Sequence, residues 1–284
     1  MPELPEVETI VRALKTGGRE GPPAVGRVLT GGEVLWQGSL VTPAADQFSD
    51  RLSGQTLTDA ARRGKFIWLS LSRDVLLIHL RMSGDIRVES TLDETGIYRP
   101  LATHDRLTLL FEDGLRLVLN DPRKFGRAWL VSDSSEVLSG LGPEPLDSDF
   151  TVNDLAARLK GRQRSLKPLL LDQSIVAGLG NIYTDEALHL AKIHPLTPAA
   201  ALTNLQIEHL WLAIRSVLQE GIRRNGASFD WVYRGGDFQN HFRAYGRGGQ
   251  PCPVCGTPIV KIVVGQRGTH FCPFCQPSPP GERG

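Results

Sequence analysis

The feature that most constrains this chain is a set of four cysteines near its C-terminus. Cys252 and Cys255 form one Cys-x2-Cys pair, and Cys272 and Cys275 form a second pair after sixteen intervening residues. This spacing is typical of a four-cysteine zinc site, because each tight turn directs two thiolates toward one point. Two disulfides or free thiols are the alternative, but disulfides are disfavoured in an intracellular protein, and so short a segment has almost no core and needs a cross-link.

Four protein ligands close a zinc site, so we expect one Zn2+ with a structural role. The residues between the two pairs predict a β-hairpin, in which His270 could replace a cysteine although the four cysteines suffice. Arg267 lies on this hairpin between two glycines, where a guanidinium is well placed to bind a phosphate. The local sequence is equally typical of a solvated arginine.

The rest of the chain divides into a strand-rich part and a helix-rich part. Within residues 25–147, short apolar runs predict an antiparallel sandwich or barrel, and Asp113-Gly114 predicts a hairpin with a type I′ turn. Helical periodicity dominates after residue 147, with Asp149 or Thr151 as the first helix cap. We therefore expect an α+β multidomain protein with a strand-rich domain in 1–147, helices in 148–243, the zinc finger in 244–276 and a disordered tail in 277–284.

Charge is distributed unevenly along the 284 residues, whose net charge is +1. Residues 1–147 contain 17 Lys and Arg against 21 Asp and Glu, whereas residues 148–284 contain 15 against 10. A basic C-terminal half indicates an anionic partner such as nucleic acid, although a solvated face gives the same imbalance. No apolar stretch approaches the ~18 residues of a membrane helix. The first residues do not form a secretory signal, so we expect an intracellular protein.

The N-terminal stretch MPELPEVETI combines two prolines with acidic residues. A helix is predicted by apolar residues at helical spacing, namely Val7, Ile10, Val11 and Leu14. Pro5 suits the first turn of that helix, because the N–H that proline lacks would be unbonded there. Pro2 precedes the periodic segment, so helix formation does not explain it.

The stretch IVAGLGNIYTDEAL predicts a glycine turn followed by a helix. Asn181 is a favourable N-cap residue, and the N–H groups at the start of a helix bind phosphate readily. A two-glycine turn is also typical of an ordinary connection between helices. Lys167 and a basic run upstream of the turn favour the phosphate interpretation, although such residues also form solvated helix faces.

Seven separated motifs give nearly the whole chain a resemblance to one family. They are PELPEVET, HLRMSG, NDPRKFGR, GPEPL, LLLDQSIVAGLGNIYTDEAL, FQNHFRAYGRGGQPCPVCGTPIVK and QRGTHFCPFCQ. With these motifs the chain resembles the formamidopyrimidine-DNA glycosylases, bacterial repair enzymes that remove oxidised purines. Leu4 is similar to the purine-lesion branch, because the related endonuclease VIII branch usually has glycine there.

The resemblance implies an N-terminal β-sandwich, a helical domain with a helix–two-turn–helix motif, and the zinc finger. It implies a bifunctional enzyme that flips 8-oxoguanine and formamidopyrimidines out of double-stranded DNA, excises them, and cleaves the strand by β/δ-elimination. It also implies a monomer in the cytoplasm, associated with the nucleoid through its DNA partner.

The resemblance gives Pro2 a chemical role. Removal of Met1 would leave Pro2 with an N-terminal secondary amine, which can attack the sugar C1′ and form an iminium intermediate. By resemblance Glu3 is the acid and base of sugar opening and proton transfer. Glu6 by resemblance shapes the lesion pocket, and a role in complementing the helix dipole is equally consistent with its position.

The resemblance also implies residues that fill the space left by the flipped base. Met82 and Phe125 are apolar wedges, and Arg123 bonds the opposite base, although Met82 and Phe125 would also suit a core. The resemblance adds Lys65 and Arg267 to the catalytic set. The positions it assigns to DNA binding are His104, Arg123, Lys124, Lys167, Asn181 and Tyr245.

The chain departs from the family pattern at two places. Lys124 stands where the family often has a second arginine, and the lesion-covering loop at about 226–240 is shorter than usual. Because this loop is short, the sequence does not decide which lesion is preferred. An endonuclease VIII-like preference for oxidised pyrimidines is one alternative. A catalytically silent, damage-binding zinc protein is another. The presence of both Pro2 and Glu3 favours the enzyme.

Overall fold

The computed structural model describes residues 1–18, 21–228 and 235–279. The chain forms two compact units, the first from Met1–Ser139 with Asn225–Gly236 and the second from Gly140–Arg224 with Asp237–Gly284. Among the described helices, none has the length and apolar character needed to cross a membrane.

The first unit begins with a helix and continues mainly as strands. Helix α1 (Leu4–Thr16) buries the periodic residues that predicted it, and Pro5 lies in its first turn as expected. The helices that follow are α2 (Ala45–Leu52), α3 (Ser135–Leu138) and a 3-10 turn (Gln37–Ser39). The strands are β1 (Leu29–Val34), β2 (Leu40–Thr42), β3 (Leu57–Arg63), β4 (Phe66–Leu71), β5 (Val75–His79), β6 (Asp85–Ser90), β7 (Asp105–Phe111), β8 (Leu115–Asn120) and β9 (Arg127–Val131).

These strands form two sheets around one core. The four-stranded sheet has the order β1-β7-β8-β6, and the five-stranded sheet has the order β2-β9-β5-β4-β3. All pairs are antiparallel except β2 with β9. Apolar side chains of both sheets and of α1 join one buried cluster, which includes Ile10, Leu69 and Leu119. The expected N-terminal helix with an antiparallel β-sandwich is therefore confirmed.

Two local features of the first unit differ from the expectations. The stretch expected as strands contains α2, which buries Phe48 and Leu52 beside β1. The Asp113-Gly114 hairpin joins β7 to β8, but only Gly114 has a positive φ, of 78°. The expected type I′ turn needs two such residues, so its assignment was wrong; a three-residue loop that ends in a left-handed residue is typical of a type I turn with a bulge.

The second unit contains the helices and the cysteine hairpin. Its helices are α4 (Val152–Leu159), α5 (Leu166–Leu170), α6 (Asn181–Ala191) and α7 (Asn204–Arg223), with 3-10 turns at Ala199–Ala201 and Phe238–His241. Two turns between α5 and α6 give the expected helix–two-turn–helix. Thr151 caps α4 by accepting from the N–H of Asp154. Strands β10 (Val260–Val264) and β11 (Arg267–Phe271) form the hairpin predicted between the cysteine pairs.

The first unit ends at Ser139 and also includes the later segment Asn225–Gly236. Residues 140–147 bond within the second unit, where Arg215 Nη1 donates to the carbonyls of Pro145 and Asp147. Residues of the predicted helical domain return to the first unit, where the N–H of Ala227 donates to Glu6 Oε1. The predicted tail lies outside the described residues from position 280 onward.

Candidate functional site

The N-terminus of the first unit lies among buried acidic residues. Pro2, Glu3 and Glu6 are all buried, and Glu3 and Glu6 are each 2% exposed. The N–H of Glu3 donates to Glu6 Oε2 over 2.7 Å, because Glu3 is the N-cap of α1 and Glu6 is the third residue of the helix, as in a capping box. The start of α1 thus fixes the carboxylates of Glu3 and Glu6 shortly after Pro2 in the sequence. Pro2 would carry the N-terminal amine if Met1 were removed.

Burial and charge perturb the α-amino group at this site. The pKa of the Met1 α-amino group is lowered from its ordinary value of 8.0, first by burial, while Glu3 and Glu6 act to raise it. Lys65 and Arg123 lower the same pKa through their positive charges, which places both cations within electrostatic reach of the amine. Lys65 is 6% exposed and lies in the turn between β3 and β4. The site therefore favours the unprotonated, nucleophilic form of an amine.

Glu6 also fixes the returning segment of the first unit. Its Oε1 accepts from the N–H of Ala227, and Gly226 adopts a φ of +77° beside it. A Cβ at Gly226 would lie 2.7 Å from Glu6 Oε1, so glycine is required for both the backbone conformation and the close approach. The predicted lesion-covering loop continues from here, but residues 229–234 lie outside the described residues.

A buried aspartate holds the turn that presents the expected void-filling residues. Oδ2 of Asp121 accepts from the N–H groups of Phe125 and Gly126, each over 2.7 Å, and Oδ1 accepts from the N–H of Arg123. Ser83, which follows Met82, donates its hydroxyl to the same Oδ1. Phe125 is 45% exposed, so it is presented to solvent rather than buried in the core.

The neighbouring residues of this turn are arranged by ring contacts. The guanidinium of Arg123 lies 4.9 Å from the centre of the Phe125 ring, and both side chains are exposed. Lys124 has a φ of 61° and places Nζ 4.2 Å above the Trp36 ring. His104 is exposed and its Nδ1 lies 3.2 Å from Arg106 Nη2.

The second unit places Asn181 and the hairpin together. The N-cap of α6 is Gly180, so the expectation that Asn181 caps the helix was wrong, and Asn181 is its first helical residue. Its Nδ2 instead donates to the carbonyl of Gly268 on β11 over 3.0 Å. Arg267 precedes Gly268 and is exposed. The start of α6 and the exposed arginine therefore belong to one local surface.

Lys167 has a different environment from the one expected of a surface phosphate ligand. Its side chain is fully buried and its Nζ donates to Asp185 Oδ1 over 2.6 Å and to the carbonyl of Gly268 over 3.1 Å. Oδ2 of Asp185 accepts from the N–H of His270. In this conformation Lys167 bonds the hairpin to α6 from a buried position.

Glu186 fixes the segment that precedes the zinc finger. Its carboxylate accepts from the backbone N–H groups of Arg243, Ala244 and Tyr245 at 2.8–2.9 Å. Burial raises the pKa of Glu186, although these three hydrogen bonds act in the opposite direction. Tyr245 is half-buried, and its ring centre lies 5.3 Å from that of His270.

The four cysteines converge as their spacing predicts. All four are free, and their sulfur atoms lie within 4.8 Å of one another. A cluster of four thiolates is the donor set of a closed tetrahedral zinc site. His270 is not part of this cluster, because its ring lies near Asp185 Oδ2. The four sulfurs fit one structural Zn2+, and the residues that would hold it are the predicted Cys252, Cys255, Cys272 and Cys275.

The fold and these sites define a zinc-finger protein of two units with a buried N-terminal amine site. The chain belongs to the formamidopyrimidine-DNA glycosylase family. The family's N-terminal domain matches residues 1–128, its H2TH domain matches residues 141–231, and the zinc finger found in FPG and IleRS matches residues 249–277. The family expected from the motifs, the fold class and the structural zinc are thereby confirmed.

Individual relatives are similar over almost their full length. The formamidopyrimidine-DNA glycosylase of Chloroflexus aurantiacus is 46% identical, over 97% of this chain and 98% of the relative. The structure of Lactococcus lactis Fpg (MutM) with DNA containing N7-benzyl-Fapy-dG is 38% identical, with a TM-score of 0.88 over 98% of this chain and 100% of that chain. MutM in complex with carbocyclic 8-oxo-G DNA is 39% identical, with a TM-score of 0.87 over the same shares.

Several positioning residues were not identified from the sequence. They are Ser83, Asp121, Asp185 and Glu186, all of which are buried. Asp121 lies inside the NDPRKFGR motif, and the acidic pair Asp185–Glu186 lies inside NIYTDEAL, so the motifs contained a signal. Acidic residues in a helix are usually solvated, which is why their burial could not be read from the pattern.

Proposed function

We propose that this protein is a bifunctional DNA glycosylase and abasic-site lyase that removes oxidised purines from double-stranded DNA. The observation that carries the proposal is the N-terminal site, in which Pro2 directly precedes the buried Glu3 and burial lowers the pKa of the Met1 α-amino group. Membership of the family and the solved complexes of relatives with Fapy-dG and 8-oxo-G DNA support 8-oxoguanine and formamidopyrimidines as the substrates.

The proposed chemistry begins at the nitrogen of Pro2 after Met1 is removed. The amine attacks C1′ of the lesion nucleotide, the bond from C1′ to the base breaks, and the base leaves with the bonding electrons and a proton. Opening of the sugar gives an iminium between the Pro2 nitrogen and C1′. The iminium acidifies the C2′ proton, and loss of that proton expels the 3′ phosphate, which cleaves the strand.

Glu3 is the proposed acid and base of these steps. It is buried at the start of α1, directly after Pro2, so its carboxyl group is held beside the reacting nitrogen. In this mechanism Glu3 donates a proton as the sugar opens and accepts protons in later steps. Lys65 acts, after burial, to lower the pKa of the Met1 α-amino group, and we propose that its charge acts in the same direction on the Pro2 amine. Glu6 positions Glu3 and the Gly226 segment through its two oxygens.

The turn fixed by Asp121 is the proposed device for base flipping. Phe125 and Met82 would occupy the space left by the lesion, and Arg123 would bond the orphaned base. The hydrogen bonds of Asp121 support this proposal. Asp121 accepts from the backbone N–H groups of Arg123 and Phe125 and from the hydroxyl of Ser83, the residue after Met82, so one carboxylate holds both segments. His104 and Lys124 are exposed near this turn and are proposed to contact the backbone phosphates.

The second unit is proposed to bind the phosphates of the lesion strand. Arg267 and the start of α6 at Asn181 offer a guanidinium and helix N–H groups to an anion. Tyr245 and Lys167 hold positions beside this surface through Glu186 and Asp185. A Zn2+ held by Cys252, Cys255, Cys272 and Cys275 would cross-link the two cysteine turns. We further propose a monomer that acts in the bacterial cytoplasm on nucleoid DNA.

The test is excision from four matched duplexes carrying 8-oxoguanine, a formamidopyrimidine, an oxidised pyrimidine or no lesion, with cytosine opposite each purine lesion. The proposal predicts at least tenfold faster excision of the two purine lesions, and loss of excision in Glu3→Gln. The matched control is Glu112→Gln, an acid exposed in the β7–β8 turn. Preference for the pyrimidine would instead favour the endonuclease VIII-like alternative. Binding without excision of any lesion would favour the silent protein.

A further inference from the structure

Helix α6 supplies three buried side chains to the zinc-binding segment. Asp185 accepts from the N–H of His270, and Glu186 accepts from three consecutive N–H groups that begin at Arg243. The third contact comes from His189, one helical turn after Asp185, and it reaches a metal ligand. His189 Nε2 lies 3.3 Å from the sulfur of Cys252.

His189 is held in one position by burial. His189 is 2% exposed, and its partner Cys252 is 3% exposed. In the part of the chain that the structure describes, Nδ1 of His189 is buried and has no hydrogen-bond partner. The sulfur of Cys252 is therefore the polar group toward which this imidazole is directed.

The position of the imidazole proton follows from these contacts. A neutral imidazole carries one N–H, on either Nδ1 or Nε2. A proton on Nδ1 would leave a buried donor unbonded and would direct the Nε2 lone pair at a metal-bound thiolate. A proton on Nε2 makes an N–H···S hydrogen bond and leaves only an acceptor without a partner. The second tautomer therefore costs less free energy.

We propose that His189 is a positioning residue of the zinc site, which donates its Nε2–H to the Cys252 thiolate. The hydrogen bond fixes the direction of the sulfur lone pairs and reduces the charge that the metal must neutralise. Because α6 begins at Asn181 and Asn181 donates to Gly268 of the hairpin, the same helix is bonded to the zinc site and to the hairpin that carries Arg267. Outer contacts of this kind change metal affinity by about 10–100-fold.

The experiment measures zinc affinity in the full-length protein by competition with a chromophoric chelator. His189→Phe keeps a buried ring and removes the donor, whereas His189→Gln retains a side-chain N–H. We expect His189→Phe to bind zinc about 10–100-fold more weakly and His189→Gln to recover most of that loss. The matched control His209→Phe, on an exposed residue of α7, should bind zinc like the unaltered protein.

Two spectroscopic readouts separate this role from a merely structural one. In the Co2+-substituted protein, His189→Phe should shift the thiolate-to-cobalt charge-transfer band, because one sulfur loses a hydrogen bond. In the unaltered zinc protein, long-range 1H–15N spectra of the imidazole should show the proton on Nε2. A proton on Nδ1, or His189→Phe with unchanged zinc affinity and cobalt spectrum, would overturn the proposal. The imidazole spectrum decides the matter even if His189→Phe does not fold.

Discussion

One carboxylate holds the turn after β8, which makes Asp121→Asn the most informative stability variant. Each oxygen of Asp121 accepts two hydrogen bonds, from Ser83 and Arg123 on one side and from the N–H groups of Phe125 and Gly126 on the other. Asparagine keeps the size of the side chain but replaces one carboxylate oxygen with an NH2 group. An NH2 group cannot accept a hydrogen bond, so two of these four donors lose their acceptor. Hydrogen bonds to a charged group contribute about 1.5–3 kcal/mol each, so losing two lowers the free energy of unfolding by about 3–6 kcal/mol.

The assay is urea unfolding of the zinc-loaded protein, followed by tryptophan fluorescence. The matched control is Asp133→Asn, in an exposed turn of the same unit where Asp133 accepts from the N–H and hydroxyl of Ser135. The control should unfold at the same urea concentration as the unaltered protein. A loss below about 1 kcal/mol in Asp121→Asn, within the range of ordinary surface changes, would refute the role given to this carboxylate.

The same variant should impair excision under conditions in which it remains folded. Displacing a positioned group by about 1 Å can reduce a reaction rate roughly 100-fold, and Arg123 and Phe125 both depend on the Asp121 hydrogen bonds. We expect a fall of that order in kcat/KM on 8-oxoguanine duplexes. Unchanged excision in a destabilised Asp121→Asn protein would show that the turn's geometry does not matter to base flipping.

Three further perturbations test other contacts. Gly226→Ala should lower the free energy of unfolding by about 1–2 kcal/mol for its left-handed backbone alone, and should slow excision because its Cβ would displace Glu6. Unfolding and single-turnover assays measure the two effects, and a stability and an excision rate equal to those of the unaltered protein would contradict the contact. Lys167→Met should lower the stability of the second unit by about 3–5 kcal/mol, because Asp185 would keep a buried charge without its lysine partner. Adding Asp185→Asn to Lys167→Met should reduce that loss, and an equal loss in the double variant would contradict the pairing. Burial first, and Lys65 after it, lower the pKa of the Met1 α-amino group, and we expect the same surroundings to act on the Pro2 amine once Met1 is removed. Because the amine reacts only unprotonated, Lys65→Met should move the acidic limit of imine formation to higher pH. A shift to lower pH would contradict the charge effect.

The sequence was informative where the structure depends on short-range patterns. The cysteine spacing predicted the thiolate cluster, apolar periodicity predicted α1, and Thr151 caps α4 as one of two residues expected to do so. Asp-Gly predicted a hairpin but not its turn type, since Asp113 keeps a negative φ and only Gly114 is left-handed. Such signals act within a few residues, so a single sequence contains them.

Contacts between distant parts of the chain were not predictable in the same way. The return of Ala227 to the first unit depends on Glu6, 221 positions earlier, and the burial of Lys167 depends on Asp185 and Gly268. His189 is a further example, because a histidine on a helix gives no sign that a cysteine lies beside it in the fold. In each case the polar residue is explained by a partner that only the folded structure brings near.

The central claim is that Pro2 is the nucleophile, and borohydride trapping tests it most directly. The protein is incubated with a duplex carrying one 8-oxoguanine opposite cytosine, reduced, digested and mapped by mass spectrometry. The account predicts a protein with Met1 removed and a reduced sugar adduct on the nitrogen of Pro2. Retained Met1, an adduct on a lysine such as Lys65, or strand cleavage without any adduct would contradict it.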